Sequence, residues 1–138
     1  MKKLLYVGID VDDKSFHGAG FCQETGEILE FACKPQNGAL LKKLQKLEKN
    51  NFQLKVCYEA TYLGYGLQRF LSKNNIECVI IAPSLIPELA SDRIKNDRLD
   101  SRKLARYFAK DMLTEIYIPN EEDEQIRDLV RSRSFLVK

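Results

Sequence analysis

The feature that most limits the fold is a change of period part-way along the chain. Up to residue 33 the apolar residues come in short extended runs separated by turn residues. From residue 40 they recur at helical spacing, and helix-like and strand-like segments then alternate. Leu4 to Val11, Ser15 to Cys22 and Ile28 to Cys33 read as three strands, joined through Asp12-Asp13-Lys14 and Glu24-Thr25-Gly26-Glu27. Connections this short join antiparallel neighbours, so the three form a meander. Leu40, Leu41, Leu44 and Leu47 then mark an amphipathic helix behind Asn37 as its cap, with Lys42, Lys43, Lys46 and Lys49 on the other face. A fourth strand runs from Leu54 to Glu59, a second helix carries Leu63, Leu67, Phe70 and Leu71, and a fifth strand covers Ile76 to Ile81. Strand, helix, strand, helix, strand implies right-handed crossovers into parallel pairs. The expected fold is therefore α/β: a mixed five-stranded sheet, with an antiparallel three-strand meander, parallel strands, and helices on both faces.

Pro83-Ser84 stops the fifth strand and caps a short helix through Leu85, Ile86 and Leu89. Ser91 to Asn96 reads as a loop, and a helix is predicted from Leu99 to Met112 with Leu104, Ala105, Phe108 and Met112 on its apolar side. Glu115 to Ile118 is a short strand or extended piece, closed by Pro119. Residues 1–118 read as one domain. Residues 119–138 begin a further helix, with Asn120 as N-cap, Glu121, Glu122 and Asp123 in its first turn, and Ile126, Leu129 and Val130 at helical spacing.

At 138 residues and 44% hydrophobic the chain can bury one core, and its net charge of +2 says nothing about partners. No apolar run approaches the roughly 18 residues of a membrane span, and Met1-Lys2-Lys3 leads into a strand with no cleavage signal, so a cytoplasmic protein with no membrane partner is expected. Cys22, Cys33, Cys57 and Cys78 form no C-x-x-C pair, and His17 is the sole histidine, which argues against zinc and for buried, reduced thiols.

Asp10 is a carboxylate in an otherwise apolar strand, and a buried acid must find a cation, a donor or water. Glu59 ends a second apolar strand, and Asp97 and Asp100 stand three apart at a helix start, where they face the same way. Four converging carboxylates repel one another. A helix N-terminus offsets about 0.3 to 1 kcal/mol per group, whereas a divalent cation offsets far more and, as a pair of ions, can bracket a phosphate. Each acid also has a plainer reading: Asp97 and Asp100 as cap and first-turn residues, Glu59 as a strand-end residue, Asp10 as the start of an Asx turn. Arg98, Arg102, Arg106 and Lys110 recur every fourth residue beside the carboxylates, with Arg93 and Lys95 before them, a pattern suited either to phosphate or to a solvated helix face. Tyr58, Tyr62 and Tyr65 around Glu59 suit packing or base stacking, and His17 reads as a sheet residue.

Gly8-Ile9-Asp10-Val11 with Lys14, then Glu59-Ala60-Thr61, then Lys95-Asn96-Asp97-Arg98-Leu99-Asp100-Ser101 leading to Leu104-Ala105, resembles the N-terminal domain of the DEDD transposases of bacterial insertion sequences, relatives of the Piv invertase. That resemblance implies a ribonuclease H-like, RuvC-like fold. It makes Asp10, Glu59, Asp97 and Asp100 the catalytic, metal-binding tetrad, and implies Mg2+ (or Mn2+), DNA strand cleavage and exchange, a structured guide RNA in some members, and a homo-oligomeric full-length protein. It also implies a C-terminal domain bearing a nucleophilic serine, a role that neither Ser132 nor Ser134 inherits. Two alternatives stay open. An actin-like or sugar-kinase ATPase also begins with a Gly-Ile-Asp strand and a meander, but needs a glycine-rich phosphate turn where this chain has Asp12-Asp13-Lys14-Ser15. The other alternative is a nucleic-acid-binding or oligomerisation fragment with vestigial acids.

Overall fold

The computed structural model describes residues 2–60, 64–82 and 100–118. The short helix through Leu89, the Ser91 to Asn96 loop and the helix beginning at Asn120 lie outside them. Strands β1 (Lys3–Val11), β2 (Phe16–Phe21) and β3 (Ile28–Cys33) are followed by α1 (Asn37–Lys49), β4 (Phe52–Glu59), α2 (Gly66–Lys73), β5 (Glu77–Ile81) and α3 (Ser101–Ala109). The sheet order is β3-β2-β1-β4-β5. The first three strands pair antiparallel, and β1, β4 and β5 pair in parallel, so β1 is the strand at which the pairing changes sense.

Alternation along the strands sorts side chains to the two faces. Leu5, Val7, Val56, Tyr58 and Ile80 point to one face, where they pack with Leu40 and Leu44 of α1 and Leu67 and Leu71 of α2. Cys57 and Ile81 point to the other, against Leu104 and Tyr107 of α3. The described helices thus cover both faces, two against one. Fully burying a leucine or isoleucine contributes about 1.5 to 3 kcal/mol, so the larger cluster supplies most of the stability.

The helix ends explain where the sequence boundaries shift. Gln36, in extended conformation, is the N-cap of α1 with no side-chain hydrogen bond, and Asn37 is the first helical residue rather than the cap. Each of the three described helices ends on a left-handed residue: Asn51 (φ 73°), Asn75 (φ 65°) and Asp111 (φ 57°). Asparagine and aspartate tolerate this region because their short polar side chains bond locally. Behind α3 the Asp111 N–H donates to the Phe108 carbonyl and the Met112 N–H to that of Tyr107, closing the helix before Met112, where periodicity alone carries it on. The chain then lies beside β5. Ala82 N–H donates to the Thr114 carbonyl and Ile116 N–H to the Ile80 carbonyl, an extended piece with a single bridge from Ile81 to Glu115.

Candidate functional site

The β1–β4 register pairs Ile9 with Tyr58, so the next residues, Asp10 and Glu59, fall side by side at the C-terminal ends of two neighbouring strands. On the other side Asp10 pairs with His17 of β2, and Glu59 pairs with Ile81 of β5. Asp10 shares its face with Gly8 and Tyr6, and Glu59 shares its face with Cys57, which is the face of α3.

Gly8 fixes where α3 sits. A Cβ at this position would lie 2.6 Å from Leu104 Cβ, 2.6 Å from the Ser101 carbonyl oxygen and 2.8 Å from the Ala105 nitrogen. Helix backbone therefore rests directly on strand backbone, an approach only glycine permits. Two residues earlier Tyr6 meets Phe108 edge-on, with ring centroids 5.5 Å apart. Along β1 from Tyr6 to Gly8, α3 is thus traversed backwards from Phe108 to Ser101, and its N-terminus points toward Asp10. Asp100 immediately precedes Ser101 and is the N-cap, its Oδ1 accepting the Lys103 N–H at 2.9 Å. Asp100 thus caps the end of α3 that points toward Asp10.

Glu59 is 9% exposed, Asp10 is half-buried and Asp100 is exposed. Oδ1 of Asp10 is enclosed and accepts no hydrogen bond among the described residues, although both Asp10 and Glu59 take part in other interactions. Among the described residues no three His, Cys, Asp or Glu side chains are gathered tightly enough to hold a metal; Asp97 lies outside them. The donors on offer are carboxylate oxygens, the chemistry of a hard cation. Burial above all, then Cys78 and Glu59, pushes the Cys57 thiol well above its ordinary range. The other thiols are free, with Cys22 and Cys78 buried and Cys33 half-buried.

The Asx turn that sequence alone allowed at Asp10 falls instead at Asp12, whose Oδ1 accepts the Lys14 N–H at 3.3 Å. Of the basic residues, Arg93, Lys95 and Arg98 lie outside the described residues. Arg102 and Arg106 are exposed on α3, and exposed Lys110 is the C-cap beyond its last turn. Arg102 Nε lies 3.4 Å from Glu30 Oε1, both side chains more than half exposed, a pair contributing about 0 to 1 kcal/mol. Tyr58 is a packing residue: it is fully buried, its hydroxyl accepts the Gln68 N–H at 3.1 Å and donates to the Gly64 carbonyl at 3.3 Å. Tyr65 has Arg69 over its ring at 5.4 Å, and Tyr62 lies outside the described residues.

His17 is a sheet residue, as read from the sequence, but what it faces was not drawn there. It is exposed, with Nε2 2.9 Å from Ser15 Oγ, and the register sets it directly opposite Asp10. With Glu30 and Ser101 it borders a cleft of about 290 Å³ on the α3 side. The signal was present: the hairpin turns about Asp13-Lys14, and residues 10 and 17 are equidistant from that centre.

A mixed five-stranded sheet with this meander and these parallel crossovers, carrying Asp10 and Glu59 at the ends of its central strand and the parallel neighbour, is a ribonuclease H-like domain. Residues 7–138 match the profile of the IS110-type DEDD transposases, described as transposase, and the chain belongs to that family. It is 36% identical over 138 residues to the transposase for insertion sequence element IS1533 of Leptospira borgpetersenii, covering 99% of this chain and 40% of the relative. It is also 36% identical over 135 residues to y4qE of Sinorhizobium fredii (strain NBRC 101917 / NGR234), which bears a provisional transposase name, covering 96% of this chain and 35% of the relative. The chain thus spans well under half the length of these two relatives. Among the described residues no helix is long and apolar enough to cross a membrane.

Proposed function

We propose that this chain carries the divalent-metal site of a DNA transposase, with Asp10, Glu59 and Asp100 as ligands and Asp97, three residues earlier in sequence, as the fourth. The observation that carries this reading is the backbone contact at Gly8, which brings the N-terminus of α3 toward the ends of β1 and β4. When bound, Mg2+ or Mn2+ supplies charge to a phosphodiester and lowers the pKa of bound water. The protein's part would be to offer Asp10 and Glu59 side by side, with Asp100 and Asp97 drawn in by the cation. Asp10 and Glu59 are fixed by sheet register, and Asp100 is fixed by its bond to Lys103 N–H. Arg106 and Lys110, with Arg93, Lys95, Arg98 and Arg102, would contact DNA phosphates, Arg102 by exchanging Glu30 for a phosphate. Strand exchange guided by a structured RNA, completed by a serine-bearing C-terminal domain in a homo-oligomer, belongs to the same reading. The family assignment favours it over a nucleotide-dependent kinase-type ATPase.

The test is thermal denaturation with and without Mg2+ or Mn2+. A cation at about 100 times its Kd adds roughly 2.7 kcal/mol, which is about 9 °C for a chain of this size. Asp10→Asn and Asp100→Asn should each lose most of that rise. Asparagine caps a helix as well as aspartate does, so the second variant removes charge while keeping α3. An undiminished rise in both variants rejects the site.

A further inference from the structure

The exposed face of α1 carries charge that the carboxylate site does not use. Lys42, Lys46 and Lys49 stand at i, i+4 and i+7, which on a helix of about 3.6 residues per turn gathers them within roughly 60° of arc along about 10 Å. Lys43 flanks the row, and all four are exposed. None makes an ion pair with a described residue. Like charges at i and i+4 destabilise a helix by about 0.2 to 0.5 kcal/mol per pair. The helix dipole favours Lys46 and Lys49 in the last turn but does nothing for Lys42. The row therefore costs stability that no ion pair with a described residue on that face offsets.

We infer that α1 is a docking surface for the backbone of a DNA duplex other than the segment held at the carboxylates. Charge complementarity names a polyanion. Single-strand binders add aromatic platforms on which bases stack, and α1 has no aromatic residue. A lysine row has no acceptor for the 2′-hydroxyl proton and no aromatic platform, so nothing on it selects RNA over a DNA backbone. A duplex with its bases turned inward fits a ridge that contacts phosphate only. Position excludes the reacting segment: α1 packs on the sheet face of Leu5 and Val7, and Asp10 lies on the face of α3. Joining one DNA to another requires a protein to hold two duplexes, and the two faces of this sheet offer one place for each. The inference rests on the DNA substrate proposed above and is independent of the metal.

The test measures affinity for a 20-base-pair duplex of arbitrary sequence as salt is raised, using the chain with Lys42, Lys46 and Lys49 all changed to Gln and the same three changed to Arg. Each phosphate that a lysine no longer neutralises should make the log–log salt slope about 0.9 less negative, so between 50 and 200 mM salt the wild type should lose about 40-fold more affinity than the Gln variant. The Arg variant should keep the wild-type slope, and melting temperatures should confirm that all variants fold. An unchanged slope in the Gln variant, with duplex binding intact, overturns the α1 surface and leaves the carboxylate site standing. A slope change seen with an RNA hairpin and absent with the duplex overturns the choice of DNA. No duplex binding by the wild-type chain overturns both this surface and its DNA substrate, while Mg2+ stabilisation reports separately on the metal.

Discussion

Gly8→Ala perturbs the contact on which the site depends. The new methyl would stand 2.6 Å from the Ser101 carbonyl oxygen and from Leu104 Cβ, whereas ordinary contact begins near 3.4 Å, so α3 must retreat by about 0.8 Å. Two of the three atoms met are helix backbone, and no side-chain rotation relieves them. The displaced helix carries Leu104 and Tyr107 away from Cys57 and Ile81, and overpacking of this kind costs about 1 to 3 kcal/mol. The same movement takes the N-terminus of α3 away from Asp10 and Glu59, so if these acids hold Mg2+ as proposed, its stabilisation should fall along with the basal stability. Urea denaturation gives the first quantity, with an unchanged m-value showing that the native state stays compact. Gly38→Ala is the control: nothing lies within 4 Å of a Cβ there, and the helix should be unaffected or gain up to about 1 kcal/mol. A Gly8→Ala protein within about 0.5 kcal/mol of wild type, with full Mg2+ stabilisation, would refute the reasoning.

Removing the Tyr58 hydroxyl with Tyr58→Phe leaves the Gln68 N–H and the Gly64 carbonyl without that partner, and should cost about 1 to 3 kcal/mol in denaturant melts without altering Mg2+ stabilisation. Leu44→Ala, on the face away from the acids, should cost about 2 to 5 kcal/mol while sparing the metal response. Arg102→Ala should change stability by less than about 1 kcal/mol, because its pair with Glu30 is exposed; a larger loss would mean the pair is structural. Burial pushes the Cys78 thiol from 9.0 up to about 12. A raised acid pKa means that stability is whole below 9.0 and declines as pH climbs toward 12, since only the unfolded chain ionises freely there. Urea midpoints should be flat below about pH 8.5 and fall above about 9, and Cys78→Ala should flatten that fall.

Much of the fold was legible because its signals are local. The meander follows from two short turns, and α1 and α2 follow from leucine spacing that the core indeed uses at Leu40, Leu44, Leu67 and Leu71. The ends were less legible. Periodicity at Phe108 and Met112 carries on past Ala109, while termination depends on Asp111 adopting a left-handed φ, a conformation that asparagine and glycine signal more clearly than aspartate. For the site, Asp10 and Glu59 were legible as acids ending apolar strands, and parallel pairing makes them neighbours. Gly8 was legible only as part of a motif, since its contact with Ser101 joins segments remote in sequence. The neighbourhood of His17 and Asp10 was implicit in the hairpin centre, and the pair of Arg102 with Glu30 was not, because it depends on how α3 lies over β1 and β2.

The change of pairing sense at β1 also orders the assembly of the molecule in time. Its contacts with β2 close across a four-residue turn, so the hairpin carrying Asp10 can form as soon as the first few dozen residues leave the ribosome. Its contacts with β4 must wait for α1, and α3 can dock on Gly8 only after β5 has been made. A growing chain therefore sets Asp10 opposite His17 before Glu59 and Asp100 have been made, and α3, the last of the described elements in chain order, covers that face after the others exist.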